Sequence, residues 1–129
     1  MNEIERESVR VLRECIDLQN KKGQDYQSKA SSVRQADYYP SGILTIYEIM
    51  HAKMLRIKSL MEKRANSQSE IVFESLEDSA KDLINYASFF AAWLRNGIDG
   101  QNPDKDLFNK YITNVEETTK LLNNIGNIG

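Results

Sequence analysis

Residues 74–96 read ESLEDSAKDLINYASFFAAWLRN, and their period decides the fold. Leu76, Ala80, Leu83, Ala87, Phe90 and Ala91 recur every three or four residues, the spacing of one helix face. No glycine or proline interrupts the stretch, and Gly97 follows it as a stop signal. This predicts a helix from about Ser69 or Glu74 to Asn96, with that apolar row as its core face. Its second half is apolar nearly all round, because Tyr86, Phe89 and Trp93 occupy another side. Such a helix lies between neighbours, within the chain or across an oligomer interface.

Upstream, Ile43, Ile46, Tyr47, Met50, Met54, Ile57 and Met61 form a second helical stripe, widened by Leu44 and Leu55. They predict a helix from Ser41, just after Pro40, to about Lys63, with Glu48, His51, Lys58 and Glu62 on its opposite flank. A polar turn, Arg64 to Ser69, joins the two helices and implies antiparallel packing. Ile4, Val9, Leu12, Ile16 and Leu18 predict a first helix from Glu3 to Lys21, ended by Gly23. The polar stretch from Gly23 to Pro40 is a long connection for so small a domain, and long ordered loops often carry function. After the turn-rich residues 96–103, Leu107, Tyr111, Val115, Leu121 and Leu122 predict a fourth helix starting near Asp104. The expectation is one all-α domain over residues 1–129, with a core of about 3–124, arranged as an oligomeric four-helix bundle.

Composition agrees with one globular domain: 129 residues, 40% hydrophobic and 28% charged. A net charge of −2 and a pI near 5.5 lack the basic footprint of a general nucleic-acid binder. A small phosphorylated ligand needs only two or three cations. The single cysteine, Cys15, rules out a disulfide within the chain and a four-cysteine zinc site, and its apolar neighbours predict a buried thiol. The opening Met-Asn-Glu-Ile-Glu-Arg-Glu does not resemble a signal peptide, and no apolar run reaches membrane-spanning length. A cytoplasmic location is therefore expected.

The chemistry-bearing string is Glu74 to Tyr86. Glu74, Asp78 and Asp82 form an i, i+4, i+8 row flanked by Lys81 and Asn85. Carboxylates so placed repel one another unless a cation or basic residues lie between them, and their oxygens suit Mg2+ or Mn2+. A solvated acidic face near a helix start would read the same way. Asp82 is distinct, because Tyr86, Phe89 and Trp93 follow at i+4, i+7 and i+11. A carboxylate at the edge of that surface needs a partner, and Lys53, Arg56 or a metal are the candidates. Glu48 and His51 share a face of the second helix and would supply the opposite half of a bundle metal site. His51 alone is more often a packing or hydrogen-bonding residue than a ligand. No Gly-rich phosphate loop or dinucleotide fingerprint occurs.

Three pieces carry a family likeness: Lys21-Lys22-Gly23-Gln24-Asp25-Tyr26, Ala52-Lys53-Met54-Leu55-Arg56-Ile57, and the Glu74 to Tyr86 string. Together they resemble the phage nucleotide-modification-associated domain family, related to the MazG-like all-α nucleoside triphosphate pyrophosphohydrolases. The likeness covers roughly Lys21 to Ala92, and its third piece is the most specific. It implies metal and catalytic roles for Glu74 and Asp78, with Asp82 a further magnesium-ligand candidate, and Glu48, offered by the second helix, completes the expected catalytic and metal set. It implies phosphate contacts from Lys53 and Arg56 and nucleotide-side roles for Asp25 and Tyr26, and Asn85, flanking the acidic row, is a further expected substrate contact. The implied reaction is hydrolysis of a (deoxy)nucleoside triphosphate to monophosphate and pyrophosphate by a homo-oligomer. The broader superfamily carries Glu-x-x-Glu and Glu-x-x-Asp, where this chain has Glu48-x-x-His51 and Glu74-x-x-Glu77. Ala52 stands where an acid is expected. These departures open an alternative, a non-catalytic binder or sponge for a nucleotide or nucleotide-derived signal.

Overall fold

A computed structural model describes residues 4–26, 30–66, 70–102 and 115–124. The described residues are helical, without a strand: α1 (Glu7–Tyr26), a short 3-10 turn (Gln35–Tyr38), α2 (Ile43–Asn66) and α3 (Glu70–Leu94), followed by helical residues 115–124. The all-α expectation holds. None of the described helices is long and apolar enough to cross a membrane.

α1 begins with Glu7 in its first turn, where a carboxylate favours the helix dipole. It runs through Gly23 instead of ending there. An internal glycine weakens a helix by about 1 kcal/mol relative to alanine but does not break it. α3 ends in a Schellman closure: Asn96 N–H donates to the Trp93 carbonyl and Gly97 N–H to the Ala92 carbonyl, both at 2.9 Å. The left-handed residue is Asn96, at φ 56°, so the helix stops at Leu94, just before the predicted end.

α3 is the shared element, and both α1 and α2 pack on it. α2 runs antiparallel, as the short turn predicted: Lys53 pairs with Asp82 at 3.3 Å, and the Arg64 guanidinium lies over Phe73, 5.8 Å from the ring centre. α1 runs parallel to α3, because Cys15 lies beside Lys81 and Gln19 beside Asn85 and Ser88.

The core sits at one end, where Ala36, Tyr39, Ile43, Ile46, Trp93 and Ile98 come together. It is closed by an edge-on Tyr39–Trp93 contact, with ring centres 6.4 Å apart. The long connection is pinned there: Ala36 N–H donates to the Asp99 carbonyl at 2.9 Å. Gly100, at φ +84°, is needed in that turn, since a Cβ there would lie 2.5 Å from the Arg34 Cβ.

The predicted core faces need correction. On α3, Ala80, Ala87 and Ala91 are exposed, while Ser79, Asn85 and Trp93 are buried. α3 has two apolar sides: Trp93, Tyr86 and Phe89 of the aromatic side pack in the core, and of the predicted face Phe90 joins them while Leu76 and Leu83 are half-buried. On α2, Ile43, Ile46 and Leu60 are buried, but Tyr47, Met54 and Met61 are more than half exposed. On α1, Cys15 is buried as expected, whereas Ile4, Val9, Leu12, Ile16 and Leu18 are not. The described side chains of residues 115–124 are all exposed.

Candidate functional site

The three helices do not close around one another, and a cleft of about 120 Å³ opens between α1, the 3-10 turn and α3. α3 supplies its floor with Asp82, Asn85, Tyr86 and Phe89, spaced 3, 1 and 3 apart and so on one side of the helix. α1 contributes Gln19, Lys22 and Gly23, and the connection adds Gln35 and Tyr39. Gly23 has open space at its Cβ position, with nothing within 4 Å. Tyr86 and Phe89 meet edge to face, with centroids 5.7 Å apart, a packing that fixes both rings.

The polar groups are held in place. Gln19 Nε2 donates to Asn85 Oδ1 at 2.9 Å and to Ser88 Oγ at 2.7 Å. Ser88 Oγ donates in turn to the Asn85 carbonyl at 2.6 Å. Asn85 is only 7% exposed, so its amide is fixed before anything enters the cleft. Asp82 finds its partner in Lys53, one of the candidates named from sequence. Further along α1, Lys81 bridges Glu14 at 2.8 Å and Glu77 at 3.6 Å. The hydrogen bond to Glu14 is the main cause holding the Lys81 ammonium above its ordinary pKa. Beside it, burial pushes the Cys15 thiol up, with Lys81 opposing.

Of the residues expected in a site, Asp82 and Asn85 line the cleft, and Lys53 stands beside Asp82. Arg56, Glu48, His51, Glu74 and Asp78 are exposed. The side chains of Asp25 and Tyr26 lie outside the described residues. The antiparallel register carries Glu48 away from the α3 acids. With Lys53 level with Asp82, Glu48 stands about 13 Å along the axis from Asp78 and about 20 Å from Glu74, at 1.5 Å per residue. Among the described residues no group of three or more His, Cys, Asp and Glu side chains gathers to hold a metal. Glu48, Glu74, Asp78 and Asp82, as arranged, do not fit one shared ion.

Sequence reading missed Gln19, Lys22, Gln35 and Tyr39 as cleft residues. Gln19 and Gln35 carry no periodic signal, and their roles depend on which side of α3 the first helix occupies. Tyr86 and Phe89 were visible as an aromatic row beside Asp82. No known protein family, curated protein or solved structure matches the chain.

Proposed function

We propose that this domain binds a nucleotide-like ligand, with a planar ring in the cleft and a phosphate at its mouth. One observation carries the reading: aromatic walls (Tyr39, Tyr86, Phe89) and side-chain amides (Gln19, Gln35, Asn85) converge on a single cleft, with Lys22 at its edge. Aromatic walls take the faces of a heterocycle. Amides, which both donate and accept, match its polar edge. At about 120 Å³ the cleft is smaller than the ~300–1,000 Å³ of a site that encloses a whole ligand. It suits one ring, leaving sugar and phosphate outside, where Lys22 supplies positive charge.

The reading corresponds to the binding alternative raised by the family likeness, and it places no step on a metal. The pyrophosphohydrolase reading is the second one, favoured by Asp82, which lines the same cleft. A homo-oligomer of MazG-like helices remains part of the proposal.

The test is a panel of nucleotides and cyclic or linear dinucleotides, read by thermal shift and by pyrophosphate release, with magnesium, manganese or chelator. Binding without turnover, unchanged by chelator, is the expected result. Metal-dependent pyrophosphate release would replace it with the hydrolase reading. No shift and no product across the panel would refute both.

A further inference from the structure

The hydrogen bonds beneath the cleft fix which way the Asn85 amide points, and that direction limits what the cleft can read. Ser88 Oγ gives its one proton to the Asn85 carbonyl at 2.6 Å. Towards Gln19 it can then only accept, and the Gln19 group 2.7 Å away is the Nε2 amine. The second Nε2 proton goes to Asn85 at 2.9 Å, and the atom it meets is Oδ1. Turning either amide over would set acceptor against acceptor or donor against donor. Asn85 is thereby locked with Nδ2 as its remaining group. Among the described residues Nδ2 has no protein partner. It is not sealed off, although Asn85 is only 7% exposed. Its open side is the cleft that Asn85 lines.

Asp82 stands one helical turn earlier, about 4.5 Å along the axis, and lines the same cleft. Its Oδ2 faces Lys53 at 3.3 Å. A carboxylate has about four lone-pair sites, so the ion pair leaves Asp82 able to accept more. Gln19 Oε1 is a further acceptor, since both Nε2 protons are spent. The fixed groups are therefore one donor, Asn85 Nδ2, beside acceptors. A ring edge that satisfies them carries one acceptor followed by two donors.

We propose that the cleft selects guanine, with Asn85 Nδ2 donating to O6 and Asp82 accepting from N1–H and the 2-amino group. The proposal rests on the nucleotide reading above and names its base. Among the four common bases only the pairing edge of guanine runs acceptor, donor, donor. Adenine offers its amino group and N1, one bond fewer. Cytosine and uracil each bring two acceptors, so one of them is turned unpaired toward the oxygens of Asp82 or Gln19. Guanine enters edge first, its six-membered ring inside, and its sugar-bearing ring stays at the mouth toward Lys22. Hydrogen bonds to a carboxylate are about twice as strong as neutral ones, so Asp82 carries more of the selection than Asn85.

Titration calorimetry of the full chain with the 5′-monophosphates of guanosine, adenosine, cytidine, uridine, inosine and xanthosine tests the proposal. The guanosine nucleotide should bind at least about tenfold tighter than those of the other three common bases. It should also exceed inosine monophosphate, which lacks the 2-amino group. Asp82→Asn keeps an acceptor for N1–H but sets a donor where the 2-amino group would lie. That variant should prefer xanthosine monophosphate, with a carbonyl there, by about tenfold. A purely structural role for Asp82 would weaken all six nucleotides alike and overturn the proposal. A wild type that ranks another base first, or binds all bases equally, would overturn the guanine assignment and leave the nucleotide reading standing. No binding by any of the six would overturn both. Should Asp82→Asn fail to fold, the wild-type comparison of guanosine with inosine monophosphate decides, and equal affinity refutes the assignment.

Discussion

Replacing Asn85 with leucine separates holding the fold from reading a ligand. The two side chains have the same number of heavy atoms but leucine is bulkier, and Asn85 is buried at 7% exposure, so the change opens no cavity and crowds its neighbours instead. The fold loses the Gln19 Nε2 to Asn85 Oδ1 bond of 2.9 Å, while Gln19 keeps its 2.7 Å bond to Ser88. A neutral hydrogen bond contributes about 0.5–1.5 kcal/mol net, and added apolar burial offsets part of it. Stability should fall by about 1–3 kcal/mol, at roughly 3–6 °C in melting temperature per kcal/mol for a domain of this size. Ligand affinity should suffer as well. A ring edge that met the amide would face an apolar wall with its own polar group unpaired, at a cost of about 1–3 kcal/mol. That is a five- to hundred-fold loss at 1.4 kcal/mol per tenfold. Circular dichroism melts and titration calorimetry, both at one fixed protein concentration, measure the two effects. Unchanged affinity in a folded variant would refute the site, leaving Asn85 as a tie between α1 and α3.

Other predictions follow from the same packing. Gly23→Ala should raise stability by about 0.5–1 kcal/mol, because the glycine is helical and its Cβ space is empty; melting curves check the sign, and a loss of stability would contradict a helical Gly23. Ile46→Ala, at a residue 0% exposed, should cost about 3–4 kcal/mol in urea unfolding, and a loss under 1 kcal/mol would contradict the core described. Asp82→Asn breaks a half-exposed ion pair with Lys53 and should change stability by less than about 1 kcal/mol, so a larger loss means that Asp82 does more for the fold than this pair. The raised Cys15 and Lys81 pKa values predict alkaline sensitivity. Each group binds its proton more tightly when folded, so the stabilisation is full below the unfolded value and lost as pH rises through the folded one. Melting temperature should therefore fall as pH climbs past the ordinary thiol value of 9.0, and a thiol reagent at pH 8 should label native protein far more slowly than unfolded chain.

The helices were legible in the sequence because period and punctuation are local properties. α2 and α3 appear close to where Pro40, the polar turn and Gly97 placed them. The antiparallel pairing followed from that short turn, and Lys53 was one of three partners that the apolar surroundings of Asp82 called for. The inward faces were harder to read. α3 is apolar on two sides, and a single chain does not say which one its neighbours will take. The choice of the aromatic side sent Ala80, Ala87 and Ala91 outward and set Asn85 against Gln19. Gly23 misled for a related reason: in isolation it marks a helix end, yet the chain continues helical to Tyr26. Glu48 seemed to face the acids of α3 because facing requires only opposite helices. Whether two residues meet depends on register, which sequence spacing within one helix does not contain.

The bonds that shape the cleft join distant parts of the chain: Gln19 to Asn85, and Ala36 to Asp99. Each closes a loop of more than sixty residues, whereas the α2–α3 hairpin forms through neighbours in sequence. Closing a long loop is entropically unfavourable until the whole structure offsets it. The hairpin can therefore form early, but the cleft exists only once α1 and the connection before α2 have both docked on α3 and the turn that follows it. A molecule that occupies it would recognise completed folding, and its retention on the protein would serve as an assay of conformational integrity for every variant made.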